Sequence, residues 1–142
     1  MMDIIEQDHL TEADEASLLA PLDAHAADRG VDFKPHGLFL TLRESDSDSR
    51  VVGGLVGATN LGWLHIRILS VPANRRKRGL GRELMLRAEA IARQRGCRAA
   101  WVDTFSFQAP GFYEILGYRR FGDLPDYPPG FDRLFYWKRL IP

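Results

Sequence analysis

The chain has 142 residues, 45% hydrophobic and 27% charged, a composition that excludes disordered and fibrous classes and fits one soluble globular domain, 1–142. Lysine plus arginine and aspartate plus glutamate both number 19, so the net charge is zero, whereas a protein that grips duplex nucleic acid carries a basic excess. The lone Cys97 excludes an internal disulfide, and one cysteine with four scattered histidines offers no zinc spacing. No apolar run approaches the ~20 residues needed to span a bilayer. The acidic opening at 1–10 lacks a signal-peptide core, so no membrane partner and a cytoplasmic location are expected.

In chain order, residues 2–6 have the composition of a short edge strand. Thr11, Glu12, Ala13 and Asp14 resemble a capping box with Asp in place of Glu. The helix it starts runs to about Asp28, with Leu18, Leu19, Leu22 and Ala26 as its apolar stripe. Pro21 removes a hydrogen bond inside that helix and predicts a bend or two shorter helices. Residues 37–43 alternate as a strand, 44–50 form a polar turn, and 51–59 form a second strand. Its Gly53-Gly54 pair signals a bulge or a close backbone approach. Asn60-Leu61-Gly62 is a hairpin turn into a strand at 63–71.

A basic loop follows, then an amphipathic helix from Leu80 or Gly81 to about Arg95. Leu80, Leu84, Ala88, Ile91 and Ala92 share one face. Glu83 with Arg87 and Glu89 with Arg93 form i,i+4 pairs on the other, each contributing ~0.3 kcal/mol. Gly96 stands at the left-handed cap position. Residues 98–104 read as a strand, which with the preceding strand and helix makes a right-handed parallel βαβ unit. Cys97, beside it, reads as a buried, inert thiol. Pro110 opens a short helix that Gly117 ends. A strand at 118–121, a loop at 122–131 and a last strand at 132–140 complete the chain.

The chemistry gathers at Arg75-Arg76-Lys77-Arg78-Gly79-Leu80-Gly81. The first N–H groups of a helix lack intrahelical partners, and the helix dipole adds about half a positive charge there. With two glycines that let a ligand reach the backbone, such a turn suits a pyrophosphate. The alternative is an ordinary βα turn with solvated arginines. A P-loop is excluded because no Gly-Lys pair occurs, and a dinucleotide fingerprint because Leu84 stands where its third glycine belongs.

Residues 76–81 match the Q/R-x-x-G-x-G/A signature of the GNAT acetyltransferase superfamily, following Val71-Pro72 as in that family. Ala109, Phe112, Tyr113, Gly117 and Tyr118 fit its second hallmark, A-x-x-F-Y-x-x-x-G-F/Y. The resemblance covers roughly 37–140. It implies an α+β (mixed α/β) fold with a strongly twisted mixed sheet of six or seven strands and helices on both faces. Two parallel strands splay, and acetyl-CoA lies in the gap as co-substrate, with no metal. Many members are homodimers, which leaves that partner open here.

By the same resemblance, the backbone of Arg78, Gly79, Leu80, Gly81 and Arg82 and the Arg76 side chain hold the pyrophosphate. Phe112 belongs to the same cofactor set. The backbones of Leu69 and Val71 pair with the pantetheine arm, and the Val71 N–H polarises the acetyl carbonyl. Tyr113 occupies the position of the general acid, being a phenol of pKa about 10. Ser106 stands where many members place an Asn that touches the cofactor. His65 is the candidate base, with Asp103 a second, and Asp123, Asp126 and Tyr127 of the 122–131 loop are candidates for the acceptor pocket. The implied reaction is N-acetyl transfer from acetyl-CoA to a primary amine by direct attack in a ternary complex. The alternative is a non-catalytic acyl-CoA-binding module on the same fold.

Overall fold

In the computed structural model, which describes residues 1–44, 49–76 and 78–142, the chain divides into two units, Met1–Lys34 and Pro35–Pro142. Most of the expected polar turn at 44–50, and Lys77 of the basic loop, lie outside the described residues. The zero net charge is unevenly shared. Met1–Lys34 holds nine acidic and two basic residues, and Pro35–Pro142 ten acidic and 17 basic, giving −7 and +7.

In the first unit, α1 spans Glu12–Asp28. Its capping box forms in both directions. The Asp14 N–H donates to Thr11 Oγ1 at 3.0 Å, and the Thr11 N–H to Asp14 Oδ2 at 3.4 Å. Of the expected bend or two shorter helices, the second does not occur, because one helix runs through Pro21. The carbonyl that Pro21 leaves without a donor is that of Ser17, which is exposed, so water can satisfy it. Residues 2–6 form no strand, for this unit offers no second strand to pair with.

The second unit is a six-stranded mixed sheet with two α-helices. Its strands are β1 (His36–Arg43), β2 (Val51–Asn60), β3 (Trp63–Ser70), β4 (Ala99–Phe105), β5 (Arg119–Leu124) and β6 (Arg133–Arg139), with α2 at Leu80–Gln94 and α3 at Pro110–Ile115. The order across the sheet is β1-β2-β3-β4-β6-β5, and only β3 and β4 are parallel. The expected hairpin series and βαβ unit are therefore present. Asn60 pairs with Trp63 across a two-residue turn in which Leu61 and Gly62 both take positive φ, 53° and 79°. The Gly53-Gly54 pair marks a close approach. A Cβ on Gly53 would lie 2.5 Å from the Ser70 carbonyl oxygen, and one on Gly54 would collide with that of Leu40.

Two features of β3 place the site. Arg67 is an extra residue opposite β2, since Val56 faces Ile68 while Gly57 faces Ile66. The bulge changes which residues point inward: Leu64 and Ile66 are buried before it, and Leu69 and Val71 pack on the core after it. Pairing with β4 then stops at Ile66 and Val102. From there the two strands run on without a shared ladder, which opens a gap in the sheet.

One face of the sheet is closed by α2 and α3, whose Leu84, Met85, Ala88 and Tyr113, with Leu116 just after α3, join Leu64, Ile66, Val102 and Tyr136 in a single cluster. Glu89 departs from the expected polar face, because it is fully buried on α2. Its carboxylate accepts from Tyr118 Oη and from Lys138 Nζ, each at 2.8 Å, and those two partners draw it inward. The expected i,i+4 ion pair with Arg93 is present but long, at 3.9 Å, and Arg93 also donates through Nε to the Leu140 carbonyl. The other expected pair, Glu83 with Arg87, forms at 2.9 Å on the exposed face. Arg95, at the foot of α2, donates to the carbonyls of His36 and Gly37 and to Thr59 Oγ1, fastening the helix to β1 and β2. Cys97 is buried, and burial pushes its thiol pKa up, as an inert thiol requires.

Candidate active site

The β3–β4 gap is bordered by the N-termini of α2 and α3. Gly79 caps α2 with φ 77° and no side-chain cap, and its carbonyl accepts the first i→i−4 bond, from Glu83 at 2.9 Å. The N–H groups of Leu80, Gly81 and Arg82 precede that bond and have no intrahelical acceptor. Nothing lies within 4 Å of the place a Gly79 Cβ would take. A Cβ on Gly81 would stand 3.3 Å from the Phe112 ring and 3.8 Å from Val71 Cγ2. Gly81 thus lets the second motif pack directly on the first.

The arginines of this turn have different tasks. One Arg75 nitrogen donates to both Glu44 oxygens at 3.0 Å, tying the short 3₁₀ turn Ala73–Arg75 back to the end of β1. Arg76 donates through Nε to the Val71 carbonyl at 3.1 Å, which leaves its two terminal nitrogens unused among the described residues. Arg78 and Arg82 are exposed. The turn is therefore partly held by its own cations and partly open to an anion.

Tyr113 is buried on α3 in an aromatic cluster. Its ring meets Phe112 edge-on at 5.1 Å, Tyr118 at 6.1 Å and Tyr136 at 6.2 Å. Its hydroxyl forms no hydrogen bond among the described residues and is not among the fully buried polar atoms that lack one. Burial, with a smaller contribution from the Asp103 charge, pushes its pKa up to about 12, so it holds its proton at any physiological pH.

His65 and Asp103 lie together on the sheet. His65 faces Trp101 across the parallel ladder, one residue before pairing ends, with the rings stacked at 3.8 Å and 4°. Asp103 is the first β4 residue beyond that ladder. His65 Nε2 is buried without a hydrogen bond, 3.8 Å from Asp103 Oδ1, which is electrostatic contact rather than a hydrogen bond. Burial lowers the His65 pKa and outweighs the pull of Asp103 in the other direction. The other Asp103 oxygen accepts from Arg133 Nε at 2.7 Å.

The remaining candidates have structural partners. Leu69 and Val71 are half-buried against the core. Ser106 Oγ accepts from the Asp132 N–H at 2.9 Å and closes the base of the 122–131 loop. Strand β5 runs on to Leu124, so Asp123, expected in the loop, lies on the strand opposite Leu134 and pairs with Arg120 at 2.9 Å, while in the remaining loop Asp126 takes φ 53° and Tyr127 accepts from Arg133 at 3.1 Å. Two residues that sequence reasoning passed over matter here. Gln108 Oε1 accepts from Thr104 Oγ1 at 2.8 Å and from the Phe105 N–H at 3.0 Å, bracing the turn that aims α3 at the gap. Arg133 is the other, and no sequence signal sets either apart from an ordinary polar side chain.

Among the described residues no three His, Cys, Asp or Glu side chains converge as they would on a metal ion, and no helix is long and apolar enough to cross a membrane. Residues 2–118 match the model of the "Acetyltransferase (GNAT) family". A blasticidin-S acetyltransferase from Streptomyces morookaense is 52% identical over 81 residues, which is 56% of this chain and 60% of that protein, so the match spans less than two thirds of that relative. An acetyltransferase from Agrobacterium fabrum is 37% identical over 110 residues, covering 78% of this chain and 79% of its own. The crystal structure of an Agrobacterium tumefaciens protein superposes with a TM-score of 0.86 at 33% identity, over 97% of this chain and 99% of that one.

Proposed function

Since the chain belongs to the acetyltransferase (GNAT) family, an enzyme family of acyl transfer, we propose that it moves an acetyl group from acetyl-CoA to a primary amine by direct attack in a ternary complex. Residues 1–142 are taken as one functional domain, because the family match runs through both units. The observation that carries the reading is the gap beyond Ile66 and Val102, with α2, whose N-terminus has no side-chain cap, following one strand and α3, whose Tyr113 hydroxyl has no partner among the described residues, following the other.

The pyrophosphate belongs at the free N–H groups of Leu80, Gly81 and Arg82. Gly79 gives it room, and Arg76, Arg78 and Arg82 supply charge-assisted donors. Leu69 and Val71 offer backbone to the pantetheine arm, and Phe112 packs the cradle from behind. Acetyl-CoA supplies an activated carbonyl, and as the acceptor nitrogen bonds to it the carbon–sulfur bond breaks. The Val71 N–H is placed to polarise that carbonyl. Tyr113 donates a hydrogen bond to the departing sulfur. At a pKa of about 12 it is roughly three orders of magnitude less acidic than a thiol of pKa about 8.5, so it shares its proton with the thiolate rather than surrendering it. His65 takes the proton that the amine sheds.

A first test measures acetyl-CoA binding by calorimetry for wild type and Gly79→Glu. A carboxylate in the cradle is expected to weaken binding at least ~100-fold, about 2.7 kcal/mol or more. Gly79→Ala, which meets no neighbouring atom and costs only ~1 kcal/mol of backbone strain, is expected to bind nearly as well. No binding by wild type would overturn the proposal. Binding without release of free CoA in an amine screen would leave a non-catalytic module.

The pH profile tests His65 separately. Its depressed pKa keeps it neutral, and competent as a base, down to a pH below its ordinary 6.5. The acid limb of kcat/KM is therefore expected below 6.5. Asp103→Asn, which removes the charge that favours the imidazolium, is expected to move that limb lower still. A limb that stays put in Asp103→Asn, or that survives in His65→Ala, would assign the base elsewhere. Linkage gives the same sign for stability: the His65 contribution is present above pH 6.5 and fades as pH falls towards the folded-state pKa.

A further inference from the structure

Three aromatic rings and a carboxylate surround a single guanidinium beside the gap. The Arg133 Cζ lies 5.7 Å from the centroid of Phe105, 5.1 Å from Tyr127 and 5.6 Å from Phe135. Its Nε reaches Asp103 Oδ2 at 2.7 Å, and a terminal nitrogen reaches Tyr127 Oη at 3.1 Å. Ring faces attract a cation through their quadrupole, and a carboxylate fixes a guanidinium by charge-assisted hydrogen bonds. Together they make a complete receptor for a cation, and the chain fills it with its own side chain.

The receptor's position separates it from an ordinary strand-to-strand ion pair. Asp103 is the first residue past the parting of β3 and β4, and its other oxygen faces His65. The carboxylate that closes the cage is thus the one that faces the proposed base, His65. The occupant is within reach of solvent. The Arg133 side chain is 30% exposed and Tyr127 is 45% exposed, so the cage is not sealed and one cation can replace another there.

We propose that the Phe105–Tyr127–Phe135 cage with Asp103 is the cation subsite of the acceptor, and that Arg133 is its displaceable stand-in. The fitting acceptor carries a guanidinium or second ammonium several methylenes from its reactive amine. Its charged end replaces Arg133 against Asp103 and the rings, and its amine then points into the gap. That this ligand is an acceptor rests on the acetyl-transfer reading; that the cage binds a cation does not. An internal occupant lowers the apparent affinity in proportion to the time it spends in place.

The test uses agmatine, a guanidinium joined to a primary amine by four methylenes, in calorimetry with the full chain. Arg133→Met keeps the stem and vacates the charge, and is expected to bind agmatine at least tenfold more tightly than wild type. Adding Asp103→Asn is expected to abolish the gain, and butylamine, which lacks the guanidinium, to show none. Millimolar agmatine should also raise the melting temperature of Arg133→Met more than that of wild type. If Arg133→Met does not fold, Arg133→Lys, whose ammonium fits the rings and carboxylate less well, should show a smaller gain of the same sign. A folded variant that binds agmatine no better than wild type, or gains equally for butylamine, overturns the proposal. Acetyl-CoA binding with no agmatine gain would sink the subsite alone, and an agmatine gain without acetyl-CoA binding would sink the acetyl-transfer reading alone.

Discussion

Tyr113→Phe is expected to lower kcat by roughly 10²–10³-fold while leaving the KM for acetyl-CoA close to wild type. The substitution is unusually clean. The hydroxyl makes no hydrogen bond among the described residues, so its loss orphans no partner. The ring contacts with Phe112, Tyr118 and Tyr136 all survive. Stability should therefore hold or rise slightly, which separates lost chemistry from lost fold. Steady-state kinetics with a thiol-reactive reporter for free CoA, beside a thermal melt, make the measurement. Full kcat in a normally folded variant would remove Tyr113 from the mechanism.

Glu89→Ala is expected to cost about 3–5 kcal/mol in chemical denaturation, because breaking a buried ion pair from one side strands the other charge. That side is Lys138, whose nitrogen sits 2.8 Å from the carboxylate. Tyr118 loses the acceptor of its hydroxyl at the same time. In a chain of this size the melting temperature should fall by about 10 °C. Glu89→Gln keeps one carbonyl oxygen for Lys138, and its amide N–H can donate to a Tyr118 hydroxyl turned to accept, so it should cost clearly less. A loss below ~1 kcal/mol for Glu89→Ala would show that water reaches the site. The same carboxylate joins the middle of α2 to Tyr118, which follows α3, and to β6. Its removal should therefore loosen the cradle and the Tyr113 helix together, and acetyl-CoA affinity should fall with stability.

The strands and α2 were legible because alternation and 3.6-residue spacing survive in any context, and glycines mark their ends. Gly62, Gly79, Gly96 and Gly117 all take the positive φ that their turns demand. The βα turn at 75–81 was legible because its backbone geometry depends on glycine, which sequence shows directly. Glu89 misled because an i,i+4 partner on its own helix is visible in sequence, whereas Tyr118 and Lys138 are brought to it only by the fold. Pro21 left a bend or a break open, because its cost depends on whether water can reach one carbonyl, and that is a property of the folded surface. Arg133 and Gln108 were invisible because their roles come from cross-strand and turn geometry, with no periodicity behind them. His65 and Asp103 could be nominated separately, but their closeness follows from where the parallel ladder ends.

The unequal sharing of charge between Met1–Lys34 and Pro35–Pro142 bears on how a ligand arrives. A molecule of zero net charge exerts little pull from far away, yet the segment that carries the helix-α2 turn has an excess of seven positive charges. Within about 10 Å at 0.1 M salt, a diffusing polyanion responds to the charges nearest it, here the arginines of that turn, rather than to the total. Capture of an anionic ligand should thus be fast in dilute buffer and slow as salt rises, while the contacts that retain it change little. An isoelectric protein can in this way show the association kinetics of a basic one.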